Sequence, residues 1–462
     1  MIFTKDKNFY KMLLVLAIPI ALQNLITFSV GLCDNVMIGT LGDAAISGVY
    51  MGGQIQTLLQ VFSGGIEGAI LVLAAQYWGS GDRESIRKIV SVGIKFSVIF
   101  GVLTTVICAA FPEWVISLFT PQTDVIRSGG EYLGIVCYSF LFFLLTQSLI
   151  ASMRSVEAAK IGLYVSIVSL FINLALNYVL IFGKLGFSPL GVKGAAIATL
   201  IARICECLIT IVYVFAIDKR LKLKFSDIFK TDKALLGDFI KYGTPIILGQ
   251  LVWATNMLSS SAIMGRQSAD GVIAGLSIAN TLSSLAYVIM NGMSGAVGII
   301  TGKTIGMGLE RKMREYAKTV QVMFLLLGIF SGLLIFLAKN PFISIYGVSE
   351  SARTVARQLI NVLAVTTVGT CYQAACLFGL VKSGGDIGFV FKNDLFFVFL
   401  VVIPSALIAT RLALPVWVVF ACLKSDQILK CFVAVVKINR FNWMKNLTRG
   451  DSALRSGGAE IE

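Results

Sequence analysis

The amino-acid sequence predicts an all-α polytopic membrane protein, with about 12 transmembrane helices in two pseudo-symmetric six-helix bundles. Three observations support this fold class: an apolar composition, an internal repeat and an uneven distribution of basic residues. Hydrophobic residues make up 56% of the 462 residues and charged residues only 14%, with a mean hydropathy of +0.84. A soluble protein of this size exposes too much surface for so few charges, whereas helices that face lipid need no polar side.

Long apolar segments account for most of the chain. A helix needs about 20 apolar residues to cross the hydrocarbon core. The first segment is too long for the apolar part of a signal peptide, and Gly31-Leu32-Cys33-Asp34 offers no small-residue cleavage site. The predicted spans cover residues 12–33, 45–77, 91–112, 132–152, 161–183, 191–216, 242–262, 271–300, 319–338, 355–380, 388–410 and 412–436.

Basic residues concentrate in alternate loops. One set of loops, which includes both termini, holds 27 Lys and Arg, and the opposite set holds 7. By the positive-inside rule, this asymmetry places the N- and C-termini in the cytoplasm. The net charge of +14 therefore lies where anionic lipid headgroups would be. We expect membrane lipid to be the partner of this charge, and no nucleic acid.

The chain contains an internal repeat over roughly a hundred residues. Pro19 and Gly39 match Pro245 and Gly265 at an offset of 226. After a one-residue insertion the offset is 227, and it pairs Asp43, Gly48, Gly65, Gly68, Gly79 and Gly81 with Asp270, Gly275, Gly292, Gly295, Gly306 and Gly308. Six spans separate the copies, so both halves enter the membrane from the same side, which is a parallel repeat.

This repeat predicts an N-terminal six-helix lobe over 1–216, a cytoplasmic connector over 217–241, a C-terminal lobe over 242–440 and a cytoplasmic tail over 441–462. Transporters built from such repeats bind substrate between the halves and alternate access as the halves rock. A channel can also be a tandem repeat, but a two-lobed monomer with a central cleft fits a carrier better.

An ionisable group inside a span costs a few kcal/mol unless it is paired or hydrated. Asp34 lies at the outer end of the first predicted helix, and Gln23 and Thr27 share its face. We predict that this polar stripe faces a cavity and that Asp34 couples transport to a cation. The alternative is a solvated helix end with no function.

Other polar groups lie within the predicted spans. Asn173 and Asn177 are four residues apart on one helical face, where they could bind a cation or substrate or could hydrogen-bond between helices. Glu67 has no obvious local partner and is a candidate for function. Asp394 is a further candidate, for which an ion pair with Lys392 or another neighbour is the structural alternative.

Two further charged pairs have the spacing of salt bridges within one helix. They are Arg203 with Glu206, and Asp426 with Lys430. We interpret both pairs as mainly structural.

The sequence lacks several residue patterns on which catalytic, metal-binding and ATP-binding sites depend. It has no histidine, so a His-based catalytic triad or a His–metal site cannot form. It contains no GxxxxGK[ST] phosphate-binding loop, which argues against ATP-driven pumping. We therefore predict that the protein is not an enzyme and uses no cofactor. A coupling ion, H⁺ or Na⁺, must be handled by carboxylates and neutral oxygens.

Several motifs together resemble the multidrug and toxic compound extrusion (MATE) family of prokaryotes, over almost the whole chain. The first-helix signature is Cys33-Asp34-Asn35-Val36-Met37-Ile38-Gly39 followed by Leu41-Gly42-Asp43-Ala44-Ala45. Further matching segments are Ala75-Gln76-Tyr77-Trp78-Gly79-Ser80-Gly81-Asp82, Asn173-Leu174-Ala175-Leu176-Asn177, Ile181-Phe182-Gly183, Gly191-Val192-Lys193-Gly194-Ala195-Ala196-Ile197-Ala198-Thr199, Ser383-Gly384-Gly385-Asp386 and Arg440-Phe441-Asn442-Trp443.

The resemblance implies an exporter in a bacterial or archaeal plasma membrane that exchanges H⁺ or Na⁺ for an organic, often cationic, compound. Family members use an acidic residue in the first helix, where Asp34 stands, and often an Asn and an Asp in the fifth helix. Here the fifth helix has Asn173 and Asn177, and an amide cannot take up a proton.

The acid that some members carry in the seventh helix is also absent. That helix offers Gln250 and Ser260, and Ser260 is the repeat counterpart of Asp34. We therefore expect ion coupling to belong to the N-terminal half.

Two other functions have to be separated from cation-coupled export. A lipid-linked oligosaccharide or peptidoglycan-precursor flippase has a similar architecture, but such proteins tend to carry basic residues in the central cleft. The first and seventh predicted spans contain none within the membrane. A channel or a non-transporting membrane receptor is an alternative of another class, which saturable, ion-dependent uptake of a small organic substrate would exclude.

Overall fold

The computed structural model describes residues 3–41, 43–230, 232–267 and 270–449, and within these ranges every regular element is helical. The prediction of an all-α fold is confirmed. The structure does not describe Gly42 of the first-helix motif, the side chains of residues 43–46 or the tail beyond Arg449. The α-helices are α1 (Lys7–Gly39), α2 (Asp43–Ser80), α3 (Arg83–Ala110), α4 (Pro112–Ser117), α5 (Thr123–Val136), α6 (Ser139–Ser155), α7 (Lys160–Phe182), α8 (Gly191–Val212), α9 (Lys233–Gly265), α10 (Val272–Gly306), α11 (Glu310–Ser344), α12 (Glu350–Gln373), α13 (Ile387–Phe396), α14 (Ile403–Arg411), α15 (Val416–Leu423) and α16 (Asp426–Asn439).

Ten helical segments of the described chain are long and apolar enough to cross a membrane. Helices α5 and α6, which meet at a bend of 53°, would form an eleventh span together. The segment predicted as the last span, 412–436, consists instead of the two short helices α15 and α16, with Lys424 and Ser425 between them. The widened π-helical turns Ala374–Lys382 and Phe397–Val402 extend α12 and join α13 to α14.

The described chain divides into two compact units. The N-terminal unit contains Leu22–Ala74 and Asp82–Gly243, and the C-terminal unit contains the chain up to Ala21, Ala75–Gly81 and the chain from Thr244 onward. Each unit has an apolar core of its own, around Leu133 in the first and Leu359 in the second, both of which are fully buried. The C-terminal end of α2 therefore belongs to the C-terminal unit, although the rest of α2 belongs to the N-terminal unit.

Paired glycines allow α2 and α10 to cross closely within the C-terminal unit. A Cβ atom at Gly79 would overlap the backbone of Lys303, and a Cβ atom at Gly306 would overlap the backbone of Gln76. Gly79 and Gly306 are equivalent positions of the sequence repeat, so the repeat places a small residue on both sides of this crossing. Small residues permit such approach between helices in a bilayer.

Residues 440–449 form a strap that fixes the end of α2 to the C-terminal unit. Trp443 is completely buried and donates its indole N–H to the carbonyl of Ile438 at 3.0 Å. The Gln76 amide nitrogen donates to the carbonyls of Ser383 and Lys445, at 3.2 and 3.3 Å. The Oε1 atom of the same Gln76 side chain accepts a hydrogen bond from the backbone N–H of Leu447 at 2.7 Å. These contacts bring together the segments around Gln76, Ser383 and Trp443, which lie far apart in the sequence.

Asp386 forms one ion pair with Lys437 of α16, at 2.6 Å, and one with Lys445 of the strap, at 2.8 Å. Burial by itself raises the pKa of Asp386, but the hydrogen bonds and charges of the two lysines outweigh this effect and hold the pKa below its usual 3.8. A carboxyl whose pKa is lower in the folded state stabilises the fold above its unfolded pKa. It loses this contribution as the pH falls through the folded pKa.

We expect Asp386→Asn to lower the melting temperature at pH 7, where the carboxylate is ionised in the folded and unfolded states and its ion pairs form. The difference from the wild-type chain should shrink below about pH 4 as the carboxyl becomes protonated. Melting temperatures of both chains between pH 3 and pH 7 measure this convergence. A difference that stays constant over this range would show that the two ion pairs do not stabilise the strap.

Candidate functional site

A carboxylate and two amides meet inside the N-terminal unit. Asp34 lies one and a half turns before the end of α1, and Asn173 and Asn177 lie on successive turns of α7. The Asn177 side-chain nitrogen donates to Asp34 Oδ1 at 2.5 Å and to Asn173 Oδ1 at 3.1 Å. Both asparagines are buried, and Asp34 is half-buried. The structure therefore brings the two asparagines of α7 next to Asp34.

One acceptor of this cluster has no protein donor. Asn177 Oδ1 is buried and makes no hydrogen bond to any of the residues that the structure describes. Buried acceptors are normally satisfied, so an unpaired amide oxygen beside a carboxylate marks a place for a positively charged or hydrogen-bonding ligand. The cluster offers oxygen atoms from Asp34, Asn173 and Asn177, which are suited to a small hard cation or a proton.

Asp34 forms no salt bridge within the described chain. Arg203 on α8 is close enough to act on Asp34 electrostatically, but its own salt bridge is to Glu206 at 2.7 Å. The Arg203 guanidinium also lies 4.9 Å from the centre of the Phe143 ring. The predicted pair of Arg203 and Glu206 is therefore present, and it leaves the Asp34 carboxylate with neutral partners.

A second polar cluster joins α1, α2 and α6. An Arg154 nitrogen donates to Gln23 Oε1 at 2.7 Å, and the other terminal nitrogen lies 3.8 Å from Glu67 Oε2. Ser63 donates to the second carboxylate oxygen of Glu67 at 2.8 Å. A Cβ atom at Gly162 would overlap the amide of Gln23, so α7 also packs closely against this cluster. Glu67, for which the sequence shows no obvious local partner, thus has two partners, Arg154 and Ser63.

The structure corrects the predicted polar stripe of α1. Gln23 belongs to the Arg154 cluster and Asp34 to the asparagine cluster, so the two do not line one site. Thr27 is exposed, and its hydroxyl donates to the backbone carbonyl of Gln23 at 3.0 Å. Sequence reasoning misses Arg154 because the residue follows an apolar segment and lies outside the predicted spans. The structure places it in the last turn of α6 with only 13% of its side chain exposed.

We expect Glu67 and Arg154 to be energetically coupled, because removing one partner leaves the other as an uncompensated charge in a low-dielectric environment. Arg154→Met should lower stability more in the wild-type chain than in the Glu67→Gln background. A double-mutant cycle on the purified chain measures this coupling, with an expected value of at least about 1 kcal/mol. Additive effects of the two substitutions would mean that the 3.8 Å contact contributes nothing.

The candidate residues of the C-terminal unit do not form one cluster. Gln250 and Ser260 on α9 are half-buried, and neither side chain makes a hydrogen bond within the described ranges. Asp394 on α13 pairs with Lys430 of α16 at 2.9 Å and not with Lys392. Lys430 also pairs with Asp426 at 3.0 Å, as its spacing predicts.

A family model described as MatE matches residues 19–179 and residues 245–408. The two matches begin 226 positions apart, which is the offset of the sequence repeat, and together they cover more than half of the chain. The chain belongs to the MatE family. The predicted resemblance to the multidrug and toxic compound extrusion family is confirmed.

Related proteins carry the name "Probable multidrug resistance protein NorM". The NorM of Rhizobium meliloti is 30% identical over 298 residues, which are 64% of this chain and 63% of that protein. The matched region thus spans slightly less than two thirds of this relative. The NorM of Photorhabdus laumondii is 27% identical over 423 residues, which are 88% of both chains.

Solved structures of transporters have the same fold. The Vibrio cholerae MATE transporter VcmN superposes with a TM-score of 0.86 at 15% identity, over 95% of this chain and 98% of that one. A MOP superfamily transporter from Pyrococcus furiosus gives a TM-score of 0.83 at 18% identity, over 95% and 98% of the two chains. At these identities the likeness establishes that the MATE chain described here shares their fold.

Proposed function

We propose that this MATE chain is a secondary active efflux transporter. It exchanges inward-moving H⁺ or Na⁺ for outward-moving organic compounds, cationic or amphipathic in character, by alternating access. The observation that carries the proposal is the Asp34 cluster: a carboxylate within a membrane-spanning helix, two buried asparagines and the unpaired oxygen of Asn177. The names of the NorM relatives support export of drug-like compounds.

Asp34 is the residue that binds the coupling ion in this proposal. It can take up a proton itself, or it can bind Na⁺ together with the oxygens of Asn173 and Asn177. The asparagines can coordinate or hydrogen-bond but cannot relay a proton. Binding of the ion removes the negative charge of Asp34 and changes the energy of its contact with Asn177. Coupling requires only that ion and substrate prefer different conformations by a few kcal/mol.

The membrane arrangement follows from the basic loops. We place the protein in a bacterial or archaeal plasma membrane with both termini in the cytoplasm, because the loops that include the termini hold most of the Lys and Arg. We propose that a single chain is the transporting unit.

The contacts of the basic residues argue against the flippase alternative. Binding a pyrophosphate requires cationic side chains that are free to face the ligand. Arg154 and Arg203 in the N-terminal unit each have a carboxylate partner, Glu67 and Glu206. The charges of these two arginines are compensated within the N-terminal unit, so neither arginine is free to bind a phosphate group there.

Efflux of a cationic dye from vesicles under separate proton and sodium gradients tests the proposal. The purified chain is reconstituted into liposomes, and each gradient is imposed in turn and then removed with an ionophore. We expect saturable dye movement against its concentration gradient with one of the two ions. Dye movement that depends on neither gradient, or that does not saturate, would overturn the proposed antiport.

A further inference from the structure

Lys430 bridges two carboxylates inside the C-terminal unit. Its ammonium lies 2.9 Å from Asp394 Oδ1 and 3.0 Å from Asp426 Oδ2. The three side chains are 7%, 12% and 4% exposed, in the order Lys430, Asp394 and Asp426. Asp394 lies on α13 and the other two lie on α16, so the ammonium joins two helices. A single positive charge thus occupies the space between two buried acids.

Oxygen atoms around this triad lack hydrogen-bond partners. Asp426 Oδ1 and the Oγ atom of the adjacent Ser425 are buried and make no hydrogen bond within the described chain. Ser425 lies at the break between α15 and α16, and it lines a cavity of about 550 Å³ together with Lys424 and Thr366. The triad therefore contains a buried carboxylate oxygen without a hydrogen-bond donor, and the residue that precedes Asp426 borders a cavity.

At the offset of 227, the α16 residues of this triad also correspond to positions on α8, the helix that carries Arg203. Lys430 follows Arg203 by 227 residues, and Asp426 follows Thr199 by the same number. In the N-terminal unit the basic residue forms its salt bridge with Glu206, and the acid Asp34 keeps neutral partners. In the C-terminal unit the equivalent basic residue is held by two acids. The basic residue is thus paired with one acid in the N-terminal unit and with two acids in the C-terminal unit.

We propose that the Lys430 ammonium is a covalently tethered cation that fills a monovalent-cation site formed by Asp394 and Asp426. This site then binds no external ion while Lys430 is present. Removal of the ammonium leaves two carboxylates, and their negative charge together with the nearby unpaired oxygens binds Na⁺. Cation binding at this site does not depend on transport. Its consequence for transport, that the single coupling ion binds at Asp34, rests on the proposed function.

Thermal unfolding of Lys430→Ala tests the proposal. The full-length chain carries Asp34→Asn as well, so that sodium binding at Asp34 cannot contribute, and it is melted in NaCl and in choline chloride at equal ionic strength. We expect sodium to raise the melting temperature of the Lys430→Ala chain by about 5 °C, and that of the Asp34→Asn parent by less than about 1 °C. Lys392→Ala in the same background is the matched control, because Lys392 lies on α13 two residues before Asp394 but is exposed and forms no salt bridge among the described residues. It should show no sodium-specific shift.

Lys430→Met keeps the volume of the aliphatic part of the side chain, and it provides a second test if the alanine variant does not fold in choline. We expect sodium to stabilise or restore the folded state of this variant too. The proposal is overturned if sodium and choline give equal melting temperatures for both variants, or if neither variant folds in either salt. Failure of the vesicle assay would leave this measurement unaffected, so the two proposals fail separately.

Discussion

Asp34→Asn is expected to retain the fold and to lose ion-driven efflux. The asparagine still offers an Oδ1 atom that can accept the hydrogen bond from Asn177, which now measures 2.5 Å, so the contact between α1 and α7 can persist. It cannot bind a proton or supply a full negative charge to Na⁺. Coupling energies between two sites are about 1–3 kcal/mol. The gradient-driven component of dye efflux should therefore fall by about 10–100-fold.

Liposome efflux and thermal unfolding of the same preparation separate this loss from misfolding. Asp124→Asn is the matched control, because Asp124 is an exposed carboxylate in the first turn of α5. It should leave both efflux and melting temperature unchanged. Efflux of the Asp34→Asn chain at the wild-type rate would show that another group senses the ion. A collapse of its melting temperature would show that Asp34 is structural.

Trp443→Ala is expected to give the largest loss of stability. Trp443 is completely buried in the strap, and the same strap bonds Gln76 at the end of α2. Truncation of a buried tryptophan costs about 3–5 kcal/mol through lost burial and the cavity left behind. The melting temperature should fall by about 10 °C. Since Gly384 packs against the Trp443 ring, the loop around Ser383 should become accessible to proteases at the same time.

Differential scanning fluorimetry and limited proteolysis of the purified chain measure these two effects. Trp114→Ala is a suitable control, because Trp114 on α4 is 58% exposed and its truncation leaves no internal cavity. A Trp443→Ala chain that melts within about 2 °C of the control would mean that the strap does not contribute to the stability of the C-terminal unit.

The sequence predicts those features that depend on composition and periodicity. Apolar segments of sufficient length predict membrane-spanning helices, since backbone polar groups in lipid must bond within their own segment. Matching glycines at a constant offset predict the repeat, and Gly79 and Gly306 do lie at the close crossing of α2 and α10. Pairs within one helix, Arg203 with Glu206 and Asp426 with Lys430, follow from the geometry of the helix.

Only the tertiary structure decides which residues from different helices meet. Lys430 reaches Asp394 across 36 positions, and Arg154 reaches Gln23 across 131. Each of these contacts depends on the rotation of a helix about its axis, which packing fixes and a single helical pattern does not. The polar stripe of α1 shows this limit: helical spacing places Gln23 and Asp34 on one face, yet neighbouring helices separate them into two clusters. The sequence by itself determined the helical fold class, the repeat and most of the apolar spans, because these follow from composition and periodicity. Packing decided which polar groups share a site, because one helix face meets different neighbours along its length.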